Sequence, residues 1–202
     1  MGKPILLILI SCLLVVSEGR CQLSYGVKGG LNISDVVINN YMDPDVESDY
    51  NPKTGLHAGL FVLVKVDEKF LVSAEAMYSE KGVRSDEKVD LQYITVVALA
   101  HYLLGEKFLL EGGPELGYLF SARSPYGNVG NVWNNKIDIG AVAGIRYLIS
   151  ETIGVGVRYG AGFSSVIEVA DKSNPFSPGE SIRYQNRTLQ MSFYLTVGRK
   201  DR

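Results

Sequence analysis

The sequence predicts an all-β protein: an eight-stranded antiparallel up-and-down transmembrane β-barrel with short periplasmic turns and longer extracellular loops. Three observations predict it. Apolar residues alternate with small or polar ones along about eight segments of roughly 11 residues, the length at which a tilted strand crosses a bilayer. The connections alternate between tight and long, as in outer-membrane barrels. The polar face combines glycine with charges of both signs, which suits a narrow, sealed interior.

Composition sets the outer bounds. A chain of 202 residues supports one domain with a proper core. Hydrophobic residues at 46% and charged residues at 21% exclude a disordered polar chain. Lys plus Arg number 20 against 22 Asp plus Glu, so no strongly basic field exists and nucleic acid is excluded as a bulk partner. Gly at 22 and Tyr at 12 favour strands and turns over packed helices.

Residues 1–21 read as a signal peptide and residues 22–202 as the barrel domain. Lys3 precedes an apolar run ending at Val16, short for a spanning helix and right for a signal core. Cleavage before Gln22 places Gly19 and Cys21 at the small-residue positions a signal peptidase reads. The rival readings are an uncleaved anchor and a lipoprotein cut at Cys12, after Leu9-Ile10-Ser11; the apolar run continues past Cys12, against the latter. Both cysteines, Cys12 and Cys21, lie in this leader. The mature chain then has no thiol, which removes disulfides, cysteine catalysis and cysteine metal sites.

The segments follow in order. The first sets Leu23, Tyr25, Val27, Leu31 and Ile33 against Ser24, Gly26, Lys28, Gly30 and Asn32. The second sets Leu56, Ala58, Leu60, Val62, Val64 and Val66 against His57, Gly59, Phe61, Leu63 and Lys65, with weaker contrast. The third opposes Phe70, Val72, Ala74, Ala76 and Tyr78 to Ser73, Glu75, Met77 and Ser79. The fourth, Leu91 to Leu103, alternates least cleanly and leaves its parity open. The fifth opposes Phe108, Leu110, Leu116, Tyr118 and Phe120 to Glu111, Gly113, Glu115, Gly117 and Ser121. The sixth opposes Ile137, Ile139, Ala141, Ala143, Ile145 and Tyr147 to Asp138, Gly140, Gly144 and Arg146. The seventh is clearest, with Ile153, Val155, Val157, Tyr159, Ala161 and Phe163 against Gly154, Gly156, Arg158, Gly160 and Gly162. The eighth sets Leu189, Met191, Phe193, Leu195 and Val197 against Thr188, Gln190, Ser192, Tyr194 and Thr196. Asp67-Glu68-Lys69, Gly105-Glu106-Lys107 and Ser150-Glu151-Thr152 are tight connections; those around 34–53, 82–90, 123–136 and 164–187 are long.

Alternation alone also fits a soluble secreted β-barrel that turns its apolar face inward to bind an apolar ligand. Three features point the apolar face to lipid instead. Glycines crowd the polar face, making room in a narrow lumen for longer neighbours. That face also carries Lys28, Arg146 and Arg158 with Glu75, Glu111, Glu115 and Asp138, a polar network that persists inside only when paired. Aromatics of the apolar face form two belts: Tyr25, Phe70, Tyr102, Phe108 and Tyr147 near the tight turns, and Tyr78, Tyr118, Phe120, Tyr159 and Phe163 nearer the long loops, as expected at two membrane interfaces.

Several motifs together carry a resemblance. They are Gly26-Val27-Lys28-Gly29-Gly30-Leu31-Asn32, Gly55-Leu56-His57-Ala58-Gly59, Glu75-Ala76-Met77-Tyr78-Ser79-Glu80-Lys81-Gly82, Glu111-Gly112-Gly113-Pro114-Glu115-Leu116-Gly117-Tyr118, Asp138-Ile139-Gly140 and Gly144-Ile145-Arg146-Tyr147. In this order and spacing the mature chain resembles the PorT-type outer-membrane β-barrel proteins of the Bacteroidetes lineage. The resemblance implies the barrel fold and the bacterial outer membrane as location. Its name-giving member is linked to protein secretion across that membrane; the quoted residues carry the fold rather than that role. Tyr93-Ile94-Thr95-Val96-Val97 lacks the proline that often closes this stretch in the family.

Chemistry-bearing patterns are sparse. No phosphate-binding, nucleophile-elbow or zinc-spacing motif occurs, so no cofactor and no metal are expected. Gly154-Val155-Gly156 sits inside an alternating strand rather than at a strand-to-helix turn. His57 and His101 fall inside on different strands and read as polar filler; His57 lies towards the outer rim. Glu111 and Glu115 share one face, a pattern open to acid–base work but more in keeping with a lumen ion pair. The acidic run at 43–49 lacks the ligand order of a calcium loop, and Trp133 suits either a partner contact or a head-group anchor. The function expected is therefore structural or interactive, not enzymatic. The barrel would be monomeric, with outer-membrane lipid around it, loops at the cell surface and an envelope or secretion complex as possible partner. The alternatives are an outer-membrane enzyme acting on lipid or glycan and the soluble ligand-binding barrel.

Overall fold

The computed structural model describes residues 22–39, 51–84, 88–124, 127–128, 136–164, 168–170 and 181–200. The leader at 1–21 with both cysteines, the acidic run at 43–49 and Trp133 lie outside the described residues. Eight long strands make the wall: β1 (Gln22–Asn39), β2 (Asn51–Lys65), β3 (Phe70–Arg84), β4 (Lys88–Leu104), β5 (Phe108–Ser124), β7 (Ile137–Leu148), β8 (Ile153–Gly162) and β10 (Ser181–Lys200). Two short strands, β6 (Gly127–Asn128) and β9 (Glu168–Ala170), extend β5 and β10. Each long strand pairs antiparallel with the next, and β1 pairs with β10 from Leu23↔Lys200 to Asn39↔Arg183, which closes the cylinder. Closure gives each of the eight long strands a neighbour on both sides, a requirement for backbone in hydrocarbon.

The parity read from the sequence is the parity observed. Outward positions such as Leu60, Val62, Leu116, Ile139, Val157 and Phe193 are exposed, whereas Lys28, Glu75, Glu111, Arg146 and Arg158 are buried. An exterior this apolar on a closed sheet is a lipid-facing surface.

Strand four explains its own ambiguity. Leu91, Tyr93, Val97 and Leu99 point into the barrel, while Ile94, Val96 and Leu104 point out. Contrast between its faces is weak because Leu91, Tyr93, Val97 and Leu99 of its inner side join two apolar clusters of the lumen, beside buried Thr95 and His101.

The strands are longer than a bilayer crossing requires, and the long connections correspondingly shorter than expected. The β3–β4 ladder continues to Arg84↔Lys88, and the β1–β10 ladder runs through residues expected in the connections around 34–53 and 164–187. Pairing persists beyond the hydrocarbon because ladder partners brought together below it remain in register above.

The opposite end is tight. Val66 and Asp67 both donate their backbone N–H to Phe70 O at 2.9 and 3.0 Å, and Gly105 turns the chain between β4 and β5 at φ +66°, a left-handed conformation that suits glycine. Pro114 interrupts the wall: the β4–β5 ladder skips from Val97↔Glu115 to Ala100↔Gly112, since proline has no N–H to give. Beside it, a Cβ on Gly113 would lie 1.9 Å from Ala98 O, so only glycine lets the two backbones approach there.

Candidate functional site in the barrel lumen

Alternation on eight strands converges the inward charges on one axis. The lower cluster, nearer the tight turns, is centred on Glu75 of β3 and Glu111 of β5. Glu75 accepts from Lys28 Nζ at 2.9 Å, Arg146 Nη2 at 3.3 Å, and Arg158 Nη1 and Nη2 at 2.8 and 3.1 Å. Glu111 accepts from Arg146 Nη2 at 3.0 Å and from Arg158 Nε and Nη2 at 2.9 and 2.8 Å. These side chains are at most 3% exposed. Charge-assisted bonds of this geometry offset the desolvation of each group.

Glycine makes the space. Gly144 lies across the β7–β8 ladder from Arg158 and across the β5–β7 ladder from Glu111. Gly156 stands opposite Arg146 in the same way. An eight-stranded lumen fills with side chains, and the missing ones at these positions admit the long ones.

Tyr194 of β10 completes the lower cluster. Its ring stacks under the Arg146 guanidinium at 3.6 Å and lies 5.1 Å from Lys28 Nζ, and its hydroxyl accepts from Arg158 Nη2 at 3.2 Å. Three cations thus surround two carboxylates, and an aromatic face takes part of the surplus charge.

The sequence grouped Glu115 and Asp138 with the same cations. The structure separates them. Both face Lys81 of β3, whose Nζ is 2.7 Å from Glu115 Oε1 and 3.9 Å from Asp138 Oδ2. Asn186 donates to Asp138 Oδ2 at 2.8 Å, and Tyr93 flanks Lys81 at 5.3 Å. This upper cluster has one cation and two carboxylates. Between the two clusters sits a buried apolar group of Met77, Val97, Leu99 and Val142. Over both clusters four cations face four carboxylates, so the two together are neutral. Glu111 and Glu115 do not share a partner: the first faces Arg146 and Arg158 and the second Lys81.

Both histidines are buried with serine partners. His57 is not at the rim: its Nε2 lies 2.9 Å from Ser192 Oγ within the lumen. His101 Nε2 lies 2.7 Å from Ser73 Oγ, and its Nδ1 is 3.4 Å from Glu111 Oε2. Among the described residues no group of three or more His, Cys, Asp and Glu is placed to hold a metal ion.

On the outer face, two belt pairs sit directly across ladders: Phe70 and Tyr102 have ring centroids 5.2 Å apart and Phe108 and Tyr147 5.1 Å. Tyr78 of β3 and Phe120 of β5 meet at 6.0 Å over the intervening β4. Tyr25, Tyr118, Tyr159 and Phe163 are exposed outward. Tyr78 is only half-buried, with its hydroxyl on Glu80 Oε1 at 2.8 Å.

A family match agrees with this architecture. The profile of a family described as "Outer membrane protein beta-barrel domain" matches residues 18–168. No curated protein matches the chain. Among solved structures, Ail, the attachment invasion locus protein of Yersinia pestis, is similar at 13% identity, covering 88% of this chain and 99% of that one, with a TM-score of 0.48. Neisserial surface protein A is similar at 7% identity, covering 88% and 97%, with a TM-score of 0.49. OprG of Pseudomonas aeruginosa is similar at 12% identity, covering 87% and 92%, with a TM-score of 0.41.

Proposed function

Since the chain belongs to the outer membrane protein beta-barrel domain family, and is thereby a protein of the outer membrane, we propose that it is a non-conducting, non-enzymatic barrel of interaction type. It holds its long connections at the cell surface and acts as an accessory to an envelope or secretion complex, within the PorT-type group whose motifs it resembles. The observation that supports this reading is the filled lumen. Two ion clusters and a buried apolar group occupy the lumen, so the ends and the outer wall are what remains to act. The barrel is taken as monomeric, with lipid around it. Affinity purification from intact outer membranes, with single-channel recording on the reconstituted barrel, tests the reading. A stoichiometric envelope partner and a silent bilayer are expected. Discrete conductance steps, or a barrel that purifies alone after mild crosslinking, would overturn it.

One observation favours a second reading, an enzyme acting on envelope lipid or glycan. Ser73, His101 and Glu111 stand in the order of a hydroxyl, base and orienting acid. Both Glu111 oxygens already accept from arginines, however, and Ser73 is buried beneath the wall. Hydrolysis of a short-chain ester by the purified barrel that is lost in Ser73→Ala would establish this reading over the first.

A further inference from the structure

Buried side chains occupy the lumen at mid-depth, and its tight-turn end opens as a vestibule of about 210 Å³. That end is periplasmic in barrels of this architecture. The vestibule has apolar walls, among them Leu63, Leu71, Leu103 and Leu109, and reaches down to Arg146 and Tyr194. Its rim carries both signs, with Lys65 and Arg199 among Glu68, Glu106 and Glu151, so the rim selects no charge strongly.

The floor does. Arg146 is 2% exposed, yet among the lower cluster's carboxylates only its Nη2 is engaged, and its Nε has no partner. It belongs to the cluster in which Lys28, Arg146 and Arg158 outnumber Glu75 and Glu111. Buried cations persist where they are paired, and a guanidinium fork matches the two oxygens of a carboxylate. A cavity below the roughly 300–1,000 Å³ typical of drug-sized ligands admits only a short chain.

We propose that this vestibule binds a small amphiphilic carboxylate from the periplasmic side. The carboxylate meets the Arg146 guanidinium above Tyr194, and the alkyl chain lies along the leucine walls. The two halves of the cavity thus recognise the two halves of a short fatty acid: surplus positive charge at the floor, hydrocarbon on the sides.

The test is a methyl-resolved NMR titration of the whole barrel in nanodiscs with octanoate, octan-1-ol and acetate. Octanoate should shift the methyls of Leu71, Leu103 and Leu109 saturably and leave lipid-facing Leu60 and Leu116 unmoved. Octan-1-ol should bind at least tenfold more weakly, and acetate should produce no saturable shift. Leu103→Trp, which fills the vestibule without touching the ion cluster, should abolish the octanoate shifts while the heat-shifted gel mobility of the folded barrel persists. Equal binding of octan-1-ol would reduce the site to an apolar hollow and overturn the proposal. Equal binding of acetate would reduce it to an adventitious anion. Shifts confined to Leu60 and Leu116, or octanoate binding that survives Leu103→Trp, would place the ligand in the bilayer and overturn it as well.

Discussion

Arg158 holds Glu75 by two parallel bonds, Nη1 to Oε2 at 2.8 Å and Nη2 to Oε1 at 3.1 Å, across the barrel and 83 residues apart in the chain. A buried guanidinium and carboxylate matched in this way act as a crossbar between β8 and β3. Removing one partner strands the other in a medium that solvates it poorly.

Replacing the crossbar therefore reads out the lumen. Glu75→Leu leaves Lys28, Arg146 and Arg158 with Glu111 as the sole carboxylate of their cluster. A loss of about 3–5 kcal/mol is expected, as for other buried pairs broken on one side. Arg199→Ala removes an exposed partner of Glu151 at 3.3 Å and should cost no more than about 1 kcal/mol. The urea midpoint of the folded, heat-modifiable band measures both. Equal midpoints for the two variants would mean that the lumen is wet.

Adjacent glycines give a sharper test of parity. A Cβ at Gly113 would meet Ala98 O at 1.9 Å, whereas one at Gly112 meets nothing nearer than Val142 O at 3.5 Å. Gly113→Ala should prevent the barrel from closing, since a backbone carbonyl cannot move aside locally. Gly112→Ala should fold like the parent. Refolding yield into lipid, scored by gel mobility, separates them.

The physical reason some of the site was legible and some was not lies in contrast between faces. β8 alternates Val155, Val157 and Tyr159 with Gly154, Gly156 and Arg158, so Arg158 was assignable inward from sequence. β4 carries hydrocarbon on both faces, and no periodicity could orient it. Lys81 was missed although it continues the inward parity of Glu75, Met77 and Ser79. Without it, three cations are left to serve four carboxylates, and the two clusters merge into one. Tyr194 was placed inside by parity, but its stack on Arg146 at 3.6 Å depends on shear between strands far apart in sequence. Period-two arithmetic does not fix that quantity.

The orientation of β4 deserves its own experiment. Thr95 is 0% exposed and Val96 is 50% exposed. With the natural cysteines outside the described barrel, single cysteines at these sites report their surroundings through an attached fluorophore. Val96→Cys should be strongly quenched by brominated acyl chains and Thr95→Cys should not. The reverse pattern would invert the strand and expel Tyr93, Val97 and Leu99 from the lumen.

The lipid-facing exterior makes a depth-dependent claim that a soluble barrel could not imitate. Leu60 is 64% exposed and pairs with Val27 and Ala76 near the middle of the wall, while Val66 is 65% exposed at the tight-turn end. On a water-washed surface, an arginine at either position would be close to neutral, because both sites are open and nothing packs over them. In a bilayer the two differ. An arginine at the midplane costs about 2–4 kcal/mol, against about 0–1 kcal/mol at the interface, where the side chain reaches the head groups. Leu60→Arg should therefore lower the unfolding free energy in lipid by that larger amount and Val66→Arg scarcely at all. Repeating the pair in thinner bilayers should shrink the Leu60→Arg penalty, because the same residue then lies closer to water. Equal effects at the two sites, or a penalty indifferent to bilayer thickness, would mean that hydrocarbon does not surround the wall.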